Sequence, residues 1–307
     1  MLHWRIILGV LFVTAVLTLA WFDFHGGRPG LVMSPLALGG ACLAAGELVR
    51  MFEHDPNLPS PSRYVVVPGA IATVAMSCVP MLAPAGSLAA EIGRVGWVAI
   101  GLAGSCLAAF SIEMLRYRSP GSATARLALA VFGIAYAGGL MGFVVQLRLL
   151  NDAPWDTAGR WGMVALLSMI VVVKSSDIGA YVAGRLFGRT RMAPVLSPGK
   201  TWEGFIGGLA LATVAAMFML GPVARWVTGE SGPEVASSWL GSLVYALLVG
   251  GAGVAGDLAV SLLKRDAGLK NSSSWMPGFG GVLDILDSVL FAAPVAYLLW
   301  LARVVGP

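Results

Sequence analysis

The sequence predicts an all-α fold: a polytopic integral membrane protein with about nine transmembrane helices. Three observations support this class. Of the 307 residues, 57% are hydrophobic and only 12% are charged, whereas soluble domains carry about 25% charged residues. The apolar residues form long runs, and the basic residues concentrate in alternate loops between them. The runs lie near 5–22, 31–49, 64–83, 94–112, 125–147, 161–183, 203–226, 238–263 and 288–305.

Each run has roughly 17 to 25 residues, which is enough for a helix to cross about 30 Å of hydrocarbon. The first follows Arg5 and could be a secretory signal, but its apolar core is long and no small-x-small cleavage site follows, so we expect a retained span. The run at 238–263 contains Gly251, Gly253 and Gly256, which match a dinucleotide-binding fingerprint by letter. Without a preceding strand, this pattern indicates close helix packing instead.

The basic residues predict the orientation of the spans. Twelve Lys and Arg residues lie in loops after even-numbered runs, and five lie in loops after odd-numbered runs. The positive-inside rule therefore places the even loops and the N-terminus in the cytoplasm, which predicts a multi-pass protein of the cell (inner) membrane. The segments 185–200 and 264–287 then share the cytoplasmic face. No Lys/Arg-rich tract with interleaved aromatics indicates nucleic-acid binding.

The chain becomes polar between Asp257 and Ser288. Ionisable groups at membrane depth are costly, so they indicate function. On a helix, Asp257, Ser261, Lys264 and Arg265 recur at i, i+4, i+7 and i+8 and share one face. An acid, a hydroxyl and two cations on one stripe suit a site for phosphate and metal. The alternative is a helix end whose bases extend to the interface, which explains the bases but not Asp257.

The second part of this polar segment begins with a glycine-rich turn at 277–281, where a helix is disfavoured and backbone N–H groups are available to phosphate oxygens. Asp284 and Asp287 follow, three residues apart, and are neighbours if a helix begins there. Magnesium prefers oxygen ligands, so two carboxylates beside phosphate groups suggest a magnesium site. N-terminal helix caps are the alternative reading. The additional presence of Asp257 favours metal binding.

A third polar segment runs from the end of the sixth apolar run to the start of the seventh. Its sequence from Ser197 to Glu203 predicts a helix start, with Lys200 or Thr201 near the cap and Glu203 in the first turn. A hydroxyl, an ammonium and free N–H groups together can also hold an anion. Taken alone, the segment is equally compatible with either role.

Five ordered motifs together resemble those of the phosphatidate cytidylyltransferases (CDP-diacylglycerol synthases). They are Asp177-x-Gly-Ala-Tyr181, Gly184-Arg-Leu-Phe-Gly188, Ser197-Pro-x-Lys200-Thr201-Trp202-Glu203-Gly204, Gly256-Asp257-x-x-x-Ser261-x-x-Lys264-Arg265 and Pro277-Gly-x-Gly-Gly281-x-x-Asp284-x-x-Asp287-Ser288. The resemblance implies an integral membrane enzyme that condenses CTP with phosphatidic acid, giving CDP-diacylglycerol and pyrophosphate with Mg²⁺. A second metal ion is left open. The motifs cover roughly 177–288. We therefore expect an N-terminal transmembrane region without a catalytic motif at 1–150 and a catalytic region at 151–307.

The sequence departs from that family pattern at three positions. Asn271 stands where the family usually has Asp, Phe279 where it has His in the glycine-rich turn, and Ile285 where it has Arg after the first Asp. The carboxylates and most bases of the motifs remain. We therefore expect a divergent member that keeps the chemistry, with a changed lipid acceptor or a weakened enzyme as the alternative.

The resemblance and the residue chemistry together assign a role to each motif residue. We expect three catalytic residues, Asp257, Asp284 and Lys264, and three magnesium ligands, Asp257, Asp284 and Asp287. The expected substrate-binding residues are Asp177, Ser197, Lys200, Thr201, Glu203, Ser261, Arg265 and Lys270. Among these, Ser197 and Lys200, with Lys264, are expected to hold CTP phosphates, and Arg265 and Lys270 the phosphatidate headgroup. A homodimer is also possible.

Two other functions use similar residues. A CTP-dependent kinase of a polyprenol or other lipid alcohol would additionally need a base to deprotonate its hydroxyl acceptor. An ion-coupled membrane transporter could use Lys174, Asp177 and Asp257 as an ion relay. A transporter of that kind predicts inverted repeats, and the two halves of the sequence show no self-similarity.

Overall fold

A computed structural model of the chain describes residues 2–56, 58–82, 88–151, 159–229, 237–273 and 280–307. Helices dominate these residues. In the first half they are α1 Leu2–His25, α2 Ser34–His54, α3 Arg63–Ser77, α4 Val79–Leu82, α5 Leu88–Arg116, α6 Ala123–Ile134 and α7 Leu140–Arg148. In the second half they are α8 Arg160–Phe187, α9 Trp202–Phe218, α10 Ala224–Thr228, α11 Trp239–Asp266 and α12 Val282–Leu301.

Two short π-helical turns, Ala135–Gly139 and Met219–Val223, join α6 to α7 and α9 to α10. Each joined pair is therefore one long apolar helix. Within the described residues, seven helices are long and apolar enough to cross a membrane: Ser34–His54, Ile92–Arg116, Ala123–Arg148, Arg160–Phe187, Trp202–Thr228, Trp239–Asp266 and Val282–Leu301. The predicted class, an all-α multi-pass membrane protein, is confirmed.

The predicted count of about nine spans is not confirmed. The first predicted span lies within α1 Leu2–His25, which is not among these seven helices, and the third corresponds to the shorter apolar helix Arg63–Ser77. The third ends early because the chain leaves the helix at Cys78 and begins the short helix α4 at Val79. Pro80, which has no backbone N–H to donate, lies next to this break.

The loop between α8 and α9 contains a short hairpin, which the sequence did not predict. Its strands are β1 Arg191–Ala193 and β2 Ser197–Thr201. They pair antiparallel, with Arg191 opposite Thr201 and Ala193 opposite Ser197. Because β2 ends at Thr201 and α9 begins at Trp202, the hairpin leads directly into the predicted helix start.

The chain divides into two compact units. Unit 1 contains Met1–Gln146 and Leu263–Leu286, and unit 2 contains Leu147–Leu262 and Asp287–Pro307. The division falls within α11 and within α12, so the polar residues of 257–288 are distributed over both units. Asp257 and Asp287 belong to unit 2, whereas Lys264 and Asp284 belong to unit 1. The functional division at residue 150 stays a prediction.

Small residues allow close helix packing within each unit. In unit 1, a Cβ added at Gly138 would lie 2.8 Å from Ala70 Cα on α3. In unit 2, a Cβ added at Gly208 on α9 would lie 2.7 Å from the Ser176 carbonyl oxygen on α8. Side chains at these glycines would force the backbones apart, and small residues are the usual means of close approach in membrane helices.

Candidate functional site

Asp284, in the first turn of α12, is the centre of a hydrogen-bonded group in unit 1. Its Oδ2 accepts hydrogen bonds from the Ser272 backbone N–H at 3.0 Å, the Ser272 hydroxyl at 2.8 Å and the Gly281 N–H at 3.1 Å. Its Oδ1 lies 2.6 Å from Lys264 Nζ, and both side chains of this ion pair are only 12% exposed. The predicted catalytic pair Asp284 and Lys264 is therefore in direct contact.

A residue from α2, Glu47, completes this group. It is 3% exposed and accepts hydrogen bonds from the N–H groups of Val282 at 3.0 Å and Leu283 at 2.9 Å. The first N–H groups of a helix have no partner within the helix, so Glu47 supplies the N-terminal cap of α12. We call Glu47, Lys264, Ser272 and Asp284 the Asp284 cluster.

The Ser272 hydroxyl joins the two carboxylates of this cluster. Its oxygen lies 2.8 Å from Glu47 Oε2 and 2.8 Å from Asp284 Oδ2. Because a hydroxyl has one proton to donate, it serves one carboxylate at a time. Sequence analysis did not single out Glu47, although a signal was present: it is the only acid in the apolar run 31–49, where an ionisable group is costly.

The glycine-rich turn is described only at Gly280 and Gly281; Phe279, one of the three departures from the family pattern, lies outside the described residues. A Cβ on Gly281 would overlap both Glu47 Oε2 and Ser272 Oγ, which explains the glycine there. The N–H of Gly281 donates to Asp284, and those of Val282 and Leu283 donate to Glu47. The prediction that N–H groups of the turn 277–281 are available to phosphate is therefore wrong for Gly281, because the Asp284 carboxylate already accepts its hydrogen bond.

Unit 2 contains a second polar group, which we call the Asp287 cluster: Lys174, Asp177, Lys200, Asp257 and Asp287. Lys200 Nζ lies 2.8 Å from Asp257 Oδ2 and also donates to the Val254 carbonyl oxygen at 3.3 Å. Lys174 Nζ lies 3.3 Å from Asp177 Oδ2, one turn further along α8. Two lysines and three carboxylates from α8, β2, α11 and α12 thus belong to one unit.

Asp287 is the most buried carboxylate of this cluster, at 4% exposure. Gly256 brings α11 against α12 at this point, since a Cβ there would overlap the Asp287 carbonyl oxygen. The charge of Asp257 acts on Asp287 unfavourably and that of Lys174 acts favourably. Within the described part of the chain, Asp287 accepts hydrogen bonds from the backbone N–H and the hydroxyl of Ser288, and both reach Oδ1. A nearly buried carboxylate, Asp287, therefore lies near a second, partly exposed acid, Asp257, which is paired with Lys200.

The carboxylates of the Asp287 cluster fit a magnesium ion by their chemistry. Magnesium is usually bound through one or two carboxylates, with water and substrate phosphates completing its ligands. Among the described residues, no hydrogen-bond donor reaches Asp257 Oδ1 or Asp287 Oδ2. Nor do those residues contain a group of three or more His, Cys, Asp or Glu side chains that could hold a metal. The structure thus groups Asp257 with Asp287, and Asp284 as a third ligand stays a prediction.

The predicted helix start at 197–203 is confirmed. Thr201 is the N-cap of α9, and its hydroxyl accepts a hydrogen bond from the Gly204 N–H at 3.1 Å. Glu203, in the first turn, accepts hydrogen bonds from the N–H groups of Arg189 and Thr190 at 3.1 Å each. These hydrogen bonds connect the residues that precede the hairpin to the first turn of α9. Ser197, at the start of β2, is half-buried.

The remaining predicted residues lie on α11 and in the segment after it. The helix contains Asp257, Ser261, Lys264 and Arg265, as their spacing predicts. Ser261 is buried, and Arg265 donates to the Leu269 carbonyl oxygen at 3.1 Å near the helix end. Lys270 is exposed. The substrate-binding roles of these residues, and of Asp177, Ser197, Lys200, Thr201 and Glu203, stay predictions.

Comparison with known proteins places this arrangement in a family. Phosphatidate cytidylyltransferase of Haemophilus influenzae is 39% identical over 155 residues, which is 50% of this chain and 52% of that protein. Phosphatidate cytidylyltransferase of Pseudomonas aeruginosa is 40% identical over 138 residues, 45% of this chain and 48% of that protein. The uncharacterized protein YnbB of Escherichia coli is 34% identical over 161 residues, 51% of this chain and 50% of that protein.

This chain spans about half the length of these curated relatives. The match to the family as a whole is more extensive, because the profile of the cytidylyltransferase family covers residues 3–302. It includes the helices that carry the Asp284 cluster and the Asp287 cluster, and also the first helices, where the sequence showed only hydrophobic character. On this match, the chain belongs to the cytidylyltransferase family.

Proposed function

We propose that the protein transfers CMP from CTP to phosphatidic acid, giving CDP-diacylglycerol and pyrophosphate for phospholipid biosynthesis. Two of the relatives above are named for phosphatidate cytidylyltransfer, and the chain belongs to their family. The observation that carries the proposal is the pair of acids Asp257 and Asp287 in unit 2, with Lys200 bound to Asp257. Carboxylates that can bind a metal ion, next to a lysine that can bind a phosphate, suit a nucleotide substrate.

The reaction needs control of charge more than an activated side chain. A phosphate oxygen of phosphatidic acid is already an anionic nucleophile. It forms a bond to the α-phosphorus of CTP, while the bond from that phosphorus to the oxygen of the β-phosphate breaks and pyrophosphate leaves. Two polyanions must meet for this to happen, so cations and preorganised donors have to stabilise the transition state. The lysines of the two clusters, Lys200 and Lys264, are cations of the kind that this reaction requires.

Asp257 and Asp287 are the residues we propose to hold Mg²⁺, with Asp284 as the third expected ligand and a second metal ion as an open possibility. When bound, magnesium neutralises phosphate charge and orients the reacting groups. Lys200 is held beside Asp257 by their ion pair, so its ammonium is positioned for a phosphate near the same carboxylate. Lys174 compensates part of the negative charge on Asp287.

Lys264 in unit 1 has a role comparable to that of Lys200 in unit 2. Its ammonium is fixed by Asp284 at 2.6 Å, and Asp284 is itself held by three further hydrogen bonds. We propose that Lys264, Lys200 and Ser197 contact CTP phosphates. The exposed residues Arg265 and Lys270 are proposed to contact the phosphatidate headgroup. By the positive-inside distribution, these residues face the cytoplasm from the inner membrane, where CTP is available.

The test is a transfer assay with the purified full chain in detergent micelles. Phosphatidic acid, Mg²⁺ and CTP labelled in its base are supplied, and we expect labelled CDP-lipid with one pyrophosphate released per lipid formed. Chelation of Mg²⁺ and the Asp257→Asn substitution should each abolish the label, because the first removes the metal ion and the second removes one of its proposed ligands. Asp266→Asn, an exposed acid nine residues further along α11, is the matched control and should remain active.

Different outcomes separate the candidate functions. If no labelled lipid forms, or if Asp257→Asn forms it at the rate of Asp266→Asn, the proposal is wrong. Release of CDP instead of pyrophosphate, with a lipid alcohol as acceptor, would identify a lipid kinase.

A further inference from the structure

Unit 1 contains a cleft at the ends of four helices, lined by residues other than those of the Asp284 cluster. Its volume is about 570 Å³. It lies where α2 ends, α3 begins, α5 ends and α6 begins. Two of the candidate spans, Ser34–His54 and Ile92–Arg116, end at the cleft, and a third, Ala123–Arg148, begins there. The cleft therefore lies where membrane-crossing helices meet their loops.

Arginines dominate the lining of this cleft. Four line it, Arg63, Arg116, Arg118 and Arg126, together with two acids, Glu53 and Glu113, which leaves a net charge of +2. Arg126 is neutralised by Glu113, to which its Nε donates at 2.9 Å. In the part of the chain that the structure describes, no acid forms an ion pair with the other three arginines.

Hydroxyl groups add neutral donors to the arginines. Ser62 and Ser122 line the cleft and precede α3 and α6, and neither side chain caps its helix. The Ser122 hydroxyl instead accepts a hydrogen bond from Arg126. Guanidinium groups present a planar set of donors that matches phosphate oxygens, and hydroxyls can complete such a set.

The positive-inside rule accounts for arginines in these loops but not for their arrangement. A loop arginine needs only to reach water, whereas these arginines come from two separate loops and line one cavity. Like charges repel each other when they are held together, and an anion in the cleft would compensate them. Tyr64, 82% exposed on the same lining, is an amphipathic side chain of the kind enriched at membrane–water interfaces.

We propose that this arginine cleft binds the phosphate of an anionic ligand, and that an anionic membrane lipid presents this phosphate through its headgroup. Basic pockets between transmembrane helices at the cytoplasmic surface recognise lipid headgroups in this way. The cleft shares no residue with either of the two clusters above. The inference therefore does not depend on the proposed transfer reaction, and its test does not use that reaction.

The test measures equilibrium binding to the purified full chain in a non-ionic detergent. The probes are dihexanoyl phosphatidylglycerol, dihexanoyl phosphatidylcholine and inorganic phosphate. The double substitution Arg116→Gln with Arg118→Gln removes two cleft charges. Arg28→Gln with Arg225→Gln, both exposed and outside the cleft, removes the same net charge and is the matched control. We expect phosphatidylglycerol to bind the wild type and the control equally, and the cleft variant about tenfold more weakly.

The other measurements distinguish the source of the phosphate. Weaker binding of inorganic phosphate than of phosphatidylglycerol supports a lipid headgroup, and equal binding of the two identifies free phosphate as the ligand. Phosphatidylglycerol that binds the cleft variant as tightly as the control overturns the proposal, as does phosphatidylcholine that binds as tightly as phosphatidylglycerol. Arg118→Glu reverses one exposed charge and so lowers the net charge of the cleft by as much as the double substitution. It should also weaken binding without affecting folding, and unchanged binding to it also overturns the proposal.

Discussion

The Asp284 cluster of unit 1 and the Asp287 cluster of unit 2 use the same residue types but satisfy their charges differently. In the first, Glu47 and Asp284 accept hydrogen bonds from Ser272, Gly281, Val282 and Leu283, and Lys264 pairs with Asp284. In the second, Asp287 accepts hydrogen bonds from its neighbour Ser288 and lies near both the acid Asp257 and the base Lys174, while Lys200 pairs with Asp257.

This difference indicates different roles for neighbouring acids of one motif. A carboxylate whose oxygens all accept hydrogen bonds stabilises the local structure and fixes its partners. Asp287, by contrast, is nearly buried beside a second acid and accepts hydrogen bonds only from Ser288 among the described residues. A buried carboxylate with so few donors is unfavourable unless cations compensate its charge, which indicates a binding role. Asp284 and Asp287 are three residues apart on α12, yet we expect substitutions of the two clusters to affect different properties.

The largest expected effect is the loss of activity in Asp287→Asn. The substitution removes a carboxylate proposed to bind magnesium, so we expect transfer of CMP to fall by a factor of about 10² to 10³. Stability should be unchanged or higher, because a neutral side chain of the same shape replaces a buried charge. The measurements are CDP-lipid formation, Mn²⁺ binding and the thermal midpoint in detergent. A lower midpoint with full activity and full Mn²⁺ binding would assign Asp287 a structural role.

Glu47→Gln tests the other cluster and should affect stability. An amide has one acceptor oxygen, and its NH₂ group would face one of the donors now bound by the carboxylate, leaving a buried group without a partner. We expect the free energy of unfolding to fall by about 1 to 3 kcal/mol, measured by denaturant titration in mixed micelles. Glu53 is an exposed acid near the end of the same helix, and Glu53→Gln should show no such change. Equal stability of the two variants would contradict the role of Glu47 as the cap of α12.

The smallest expected effect concerns the start of α9. Thr201→Ala removes the hydroxyl that accepts the Gly204 N–H, which should cost about 1 kcal/mol. Thr201→Ser keeps the oxygen and should behave as the wild type. Hydrogen exchange at Gly204 measures the change locally, and about fivefold faster exchange is expected in the alanine variant alone. The same rate in all three proteins would show that the cap contributes nothing measurable.

Local signals in the sequence predicted most of the architecture. Long apolar runs give helices in a membrane because a helix satisfies its own backbone hydrogen bonds in lipid, and seven of the nine predicted spans correspond to such helices. The start of α9 was predictable because a cap is a contact between near neighbours, Thr201 and Gly204. The hairpin before it was missed because strands of three and five residues are too short to show an alternating pattern.

The sequence by itself determined a multi-pass helical membrane protein whose polar motifs lie in 177–288, because hydrophobic length and the cost of charge in lipid are properties of local composition. Only the tertiary structure decided how those polar residues are partnered. Glu47 meets Ser272 across 225 residues of chain, and Asp257 and Asp287 are grouped while Asp284 pairs with Lys264. Such contacts depend on which helices pack together, and no pattern within one helix encodes that choice.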